Sequence, residues 1–187
     1  MRCYLKLVKY LISFLKCCFL QVRYRGRLKI NPFKVYISPF ANIKIVGNGY
    51  IEFKSERDRV YISRNSSFIS SNGSIIIGNG VFFNKNVNIV SHSSIVIGDN
   101  CLFGHNVCCF DSDHNFSDRS KDIRYQGYSV KPILIKKNVW VGAGTIITKG
   151  STINEHVVIG GNSVVNKNLE AFAVYAGNPC KILKRIL

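Results

Sequence analysis

Residues 135–165 read IKKNVWVGAGTIITKGSTINEHVVIGGNSVV. An apolar residue returns every six positions, at Ile135, Val141, Ile147, Ile153, Ile159 and Val165. Four positions after each of the first five stands a small or β-branched residue: Val139, Thr145, Ser151, Val157 and Ser163. The same beat runs upstream through Ile77, Phe83 and Ile89, and again through Ile97, Phe103 and Cys109. Ordinary strands alternate with period two and call for no Gly or Asn turn every six residues. A period of six describes a solenoid in which three hexads close one triangular coil. The apolar residue points inward and stacks on its equivalents above and below, and Gly and Asn accept the left-handed backbone angles of the corners. The expected class is all-β.

The beat breaks in two places. Two extra residues separate Ile89 from Ile97, and twenty extra residues separate Cys109 from Ile135. The second interruption is a polar, charged loop over about 111–132. Long loops on a regular scaffold are where function concentrates. Ile62 and Phe68 suggest one more coil upstream, with irregular edges. The chain divides into a basic amphipathic helical segment, 1–30, and a solenoid, 31–187, carrying the inserted loop.

The formal net charge is +16, and ten basic residues precede the first acid, Glu52. Such an excess favours a polyanion, a phosphate-bearing small molecule or an acidic membrane surface. Arg2, Lys6, Lys9, Ser13 and Lys16 form one polar stripe of a helix, with apolar residues around the rest. Lysines interrupt the run too often for a membrane span or a signal peptide. A helix of this kind lies in an anionic bilayer interface or packs on the body or a neighbouring subunit. The basic residues are not interleaved with exposed aromatics, so nucleic-acid binding is not expected. The seven cysteines are odd in number and lack paired C-x-x-C units. They read as reduced thiols of a cytoplasmic protein.

Three stretches then carry a family resemblance: Phe83-Asn84 through Gly98-Asp99-Asn100 to Asp113-His114, then Asn138-Val139-Trp140-Val141-Gly142-Ala143-Gly144, and last Ala176-Gly177-Asn178-Pro179-Cys180-Lys181. In this order, with a looped-out histidine between them, they resemble the hexapeptide-repeat acetyltransferases that act on galactosides, maltose and nodulation factors. The resemblance implies a single-stranded left-handed parallel β-helix, a homotrimer with active sites between subunits, acetyl-CoA as co-substrate and no metal. The implied reaction is O-acetylation of a sugar hydroxyl. Asn115 stands where the sugar enzymes usually have proline. The Asp-His-x-Phe pattern is similar to enzymes of capsule, exopolysaccharide and O-antigen assembly. Cell-surface polysaccharide synthesis, with a glycan acceptor at the inner membrane face, is the implied setting.

By that resemblance His114 is the catalytic base. Imidazole suits the role because its ordinary pKa lies near neutrality. Asp111 or Asp113 would orient the ring. Asn84, Asp113 and Trp140 match the acceptor side of the site, an amide being able to hold a hydroxyl as both donor and acceptor. Ala143 and Gly161 match positions along the pantetheine arm. Asn166, Lys167, Lys181 and Lys184 match the nucleotide end, where cations meet phosphates. His92 lies in the short insertion, near the expected acceptor pocket. Alternatives remain on the same scaffold: N-acetylation of an amino sugar, a non-catalytic membrane-associated scaffold, or a metal-dependent hydratase. The last needs three histidines, two of them close in sequence, and positions 92, 105, 114 and 156 offer no close pair.

Overall fold

A computed structural model describes residues 2–186. A helix, Arg2–Arg23, leads into a parallel β-solenoid of seven coils that runs from Leu28 to the last pair of strands. Each full coil contributes one short strand to each of three faces. The first and third faces are six-stranded, and the second is eight-stranded because Ala173–Ala176 and the closing strand Lys181–Arg185 are added to it. Neighbouring coils pair in strict parallel register. On the first face Ile75 sits opposite Ile51 and Ile95. On the second Phe103 sits between Phe83 and Val141. On the third Cys109 sits between Ile89 and Ile147.

This pairing makes each predicted inward residue stack on its counterpart one coil away. Every member of the six-residue beat, from Ile77 to Val165, is buried. The Phe83 and Phe103 rings stack at 4.8 Å, and Phe68 meets Phe83 edge-on at 4.9 Å. Burying a large apolar side chain contributes roughly 1.5–3 kcal/mol, so a column of such residues holds the coils in register without disulfides. The corners behave as their residue types require. Asn86, Asn100, Asn106, Asn138 and Asn162 all adopt left-handed angles, with φ between 55° and 61°. Gly104 has a different reason to be glycine: a Cβ there would come within 2.6 Å of the Ala143 nitrogen on the next coil.

The structure extends the solenoid further upstream than the sequence period reaches. Two coils precede Ser74, one through strands Leu28–Lys29, Val35–Ile37 and Asn42–Val46, the next through Tyr50–Phe53, Val60–Ile62 and Ser67–Ser71. The helix packs on the first of them. At the other end, strand Lys181–Arg185 turns back antiparallel along Ala173–Ala176.

Candidate active site

The long insertion is a folded hairpin. Strand Ser112–His114 pairs antiparallel with Tyr128–Val130, with a short 3-10 turn, Ile123–Tyr125, at its tip. It leaves the solenoid where the third face of the fourth coil would turn into the first face of the fifth. The hairpin register sets His114 opposite Tyr128. Their ring centroids are 4.5 Å apart, and Tyr128 also stacks on His92 at 4.8 Å. Tyr128 thus joins the predicted base to the histidine of the short insertion. The two interruptions of the six-residue beat meet in space.

Asp111 has another task than the one the sequence suggested. It is fully buried. The Ser91 hydroxyl and the backbone N–H of His92 donate to its carboxylate at 2.7 Å, and the Ser93 N–H does so at 2.9 Å. A buried charge is tolerated only when it is this well satisfied. Asp111 therefore fixes the turn that presents His92 rather than the ring of His114. Asp113 is exposed and pairs with Lys149 at 3.0 Å. Among the described residues, neither carboxylate reaches the His114 ring.

The remaining predicted site residues lie along a different edge. Asn84 follows the second-face strand Phe82–Phe83, at the corner that leads into the third face. Its side-chain oxygen accepts from the Lys85 N–H. Ala143 and Gly161 occupy the equivalent corner of the fifth and sixth coils, stacked so that a Cβ on Gly161 would touch the Ala143 carbonyl oxygen at 3.0 Å. Both are exposed. Among the described residues their N–H groups donate no hydrogen bond within the chain. Bare backbone on a ledge of small residues can accept an extended amide-bearing arm. Further along the same end, Asn166 and Lys167 are exposed, as are Lys181 and Lys184 on the closing strand. Lys167 lines a shallow cavity of about 240 Å³ with Tyr175, Ile182 and Arg185. It also lies close enough to Cys180 to oppose the upward push that burial gives that thiol.

Trp140 is outward-facing on the second face and more than half exposed. It belongs to a column that the sequence did not reveal. Tyr36, Tyr61 and Phe82 stack in turn at 4.4 and 5.1 Å, and the ladder register continues through Leu102 and Trp140 to Val158 and Val174. Beside its first members lies a cavity of about 590 Å³ lined by Tyr36, Phe40, Tyr61, Arg64, Lys85 and Lys9 of the helix, among others, and by no acidic residue. His105 is exposed at its corner, and His156 stacks on Phe172. Among the described residues no group of three His, Cys, Asp or Glu side chains could hold a metal ion.

Residues 132–167 match the family model described as bacterial transferase hexapeptide (six repeats), and these are the coils whose inward columns and Asn corners were described above. Over those coils the chain is similar to the hexapeptide-repeat transferases. The chain is 33% identical over 108 residues to a galactoside O-acetyltransferase of Lactococcus lactis, covering 57% of this chain and 51% of that one. It therefore spans about half the length of that relative. A galactoside acetyltransferase solved with coenzyme A superposes with a TM-score of 0.58 at 31% identity, covering 75% of this chain and 66% of the other. The polySia-specific acetyltransferase NeuO superposes with a TM-score of 0.65 at 26% identity, covering 78% and 66%.

Proposed function

We propose that the protein is an acetyl-CoA-dependent O-acetyltransferase acting on a sugar hydroxyl, with His114 as general base. The observation that carries this reading is the hairpin that holds an exposed imidazole against Tyr128, at the point where the hexapeptide beat is interrupted. The imidazole takes the proton of the acceptor hydroxyl while that oxygen attacks the thioester carbonyl. The C–S bond then breaks, the acetyl ester forms, and the proton passes to the departing thiolate. Ala143 and Gly161 suit the pantetheine arm, since their exposed N–H groups can bond its amides. Lys167, Lys181 and Lys184 suit the phosphates. An N–H on this ledge would meet the developing oxyanion.

His114 and the Asn84–Ala143–Gly161 edge lie on two different corners of one prism. A complete site therefore needs a second copy to bring its edge alongside, and a ring of three closes such a contact. The exposed part of the outward column, Phe82–Leu102–Trp140, and the exposed Phe116, Ile123 and Tyr125 of the hairpin supply surface for it. We read the protein as a homotrimer on this basis.

The acceptor we favour is an acidic glycan of the cell surface. The cavity lined by Lys9, Arg64 and Lys85 offers aromatic rings to sugar faces and three cations to carboxylates or phosphates. The likeness to a polySia-specific enzyme agrees with that chemistry. The supply of acetyl-CoA makes the cytoplasm the compartment for this reaction.

The test is release of free CoA thiol from acetyl-CoA in the presence of acidic and neutral glycans, for the wild type and for His114→Ala. Turnover by the variant at the wild-type rate would remove the histidine from the mechanism. Loss of the product's acetyl group in mild alkali distinguishes an ester from the amide of an amino sugar.

A further inference from the structure

The helix Arg2–Arg23 meets the solenoid with its polar side. Ser13 is buried, and its hydroxyl accepts the Ile37 N–H at 2.8 Å. The Lys16 ammonium donates to the Ser38 and Pro39 carbonyls at 2.9 Å and to Ala41 at 2.5 Å. Cys17, Leu20 and Tyr24 complete the buried side, and Gln21 donates to the Ile30 carbonyl at 2.8 Å.

This docking turns the apolar side outward. Tyr4, Leu7, Leu11, Leu15, Phe19 and Val22 advance by three or four residues along one face, and each is 58–79% exposed. No charged residue interrupts that face. Arg23, Arg25 and Arg27 stand exposed at its C-terminal end, while Lys6 and Lys9 belong to the stripe of Ser13 and Lys16 on the other side of the helix. Residues 1–51 contain ten basic residues and no acid. No described helix is long and apolar enough to cross a membrane.

An apolar strip of this extent on a water-exposed surface marks an interaction site. Its occupant must offer an apolar interior and a negative surface together. A second copy of the chain offers the apolar strip but brings ten more cations to the contact. An anionic bilayer offers both. We propose that this helix lies in the plane of an anionic lipid surface, its outward strip sunk into the acyl boundary and its flanking cations at the phosphates. The solenoid hangs from it through Ser13 and Lys16. Each cation near such a surface strengthens partitioning about fivefold, and salt weakens that share. The inference is independent of the acyl-transfer reading.

The full-length protein is tested by flotation with vesicles of phosphatidylcholine alone and of phosphatidylcholine mixed with phosphatidylglycerol. The expected result is that the wild type rises with the mixed vesicles, far less with the neutral ones, and less at high salt. A triple variant, Leu7→Glu, Leu11→Glu and Leu15→Glu, is expected to stay behind with an unchanged circular dichroism spectrum and unchanged transfer to a soluble acceptor. Flotation of the triple variant equal to the wild type overturns the proposal, as does a wild type that ignores anionic vesicles. Light scattering identifies the other occupant: if the triple variant dissociates where the wild type is oligomeric, the strip binds a second copy and the membrane proposal is wrong.

Discussion

The Tyr128 ring packs against the His114 ring at 4.5 Å with a tilt of 40°. Fourteen residues separate the two in sequence, and only the hairpin register brings them together. Held in this way, the imidazole loses little further freedom when an acceptor arrives. Tyr128→Ala is expected to lower kcat about tenfold through misplacement of the base, with KM for acetyl-CoA unchanged. Tyr128→Phe, which keeps the ring, is expected to retain most of the activity. Steady-state kinetics on the two variants separates a positioning role from a merely structural one.

Removal of the base itself has a larger effect. His114→Ala is expected to lower turnover about 10²–10⁴-fold, the usual contribution of a positioned proton acceptor. Calorimetry should still register coenzyme A binding by this variant, because the ledge at Ala143 and Gly161 lies on another edge.

Asp111 is predicted to matter for stability out of proportion to its distance from the chemistry. Asp111→Ala strands three donors in a buried turn, at a cost of about 3 kcal/mol or more. Asp113→Ala breaks only an exposed ion pair with Lys149 and is expected to cost less than about 1 kcal/mol. Urea unfolding of the two variants measures the contrast.

Burial pushes the Cys17 thiol up to about 12 and the Cys101 thiol up to about 11, against an ordinary value of about 8.5 in an unfolded chain. Above the ordinary value the unfolded chain releases thiol protons that the folded chain keeps, so stability falls as pH rises. The urea midpoint is expected to be lower at pH 10 than at pH 8, and Cys101→Ala should flatten the fall. At pH 8 a thiol reagent followed by peptide mapping should label Cys18 and Cys108, which are partly accessible, ahead of Cys17, Cys101 and Cys109.

The central coils were readable because their spacing is uniform. From Ile135 to Val165 every inward residue falls six after the last. From the first coil to the third the equivalent inward residues are Ile37, Ile43, Phe53, Ile62, Phe68 and Ile77, with gaps of six, ten, nine, six and nine. Corners of changing length hide the period there although the packing is the same. Strand parity carried a signal about Asp111 that its closeness to His114 obscured. Cys109 points inward and Phe110 outward, so Asp111 points inward again, away from any bound acceptor. The Tyr128 contact left no such trace, since nothing local specifies which residues of a long insertion will pair across it. The helix was legible as amphipathic, but not which side would dock. That depended on the carbonyls of Ser38, Pro39 and Ala41 standing ready for Lys16.

The helix covers the first coil, and the strand Lys181–Arg185, with three cations in five residues, forms the far border of the second face. Parallel stacks with bare rims tend to recruit further copies along their axis, whereas an occupied rim or one bristling with ammonium and guanidinium groups does not. Lengthwise stacking is thus obstructed over the first coil by the helix and along the second face by the closing strand. Contact between copies is then expected flank against flank, giving particles of finite size instead of filaments, a difference that light scattering reads.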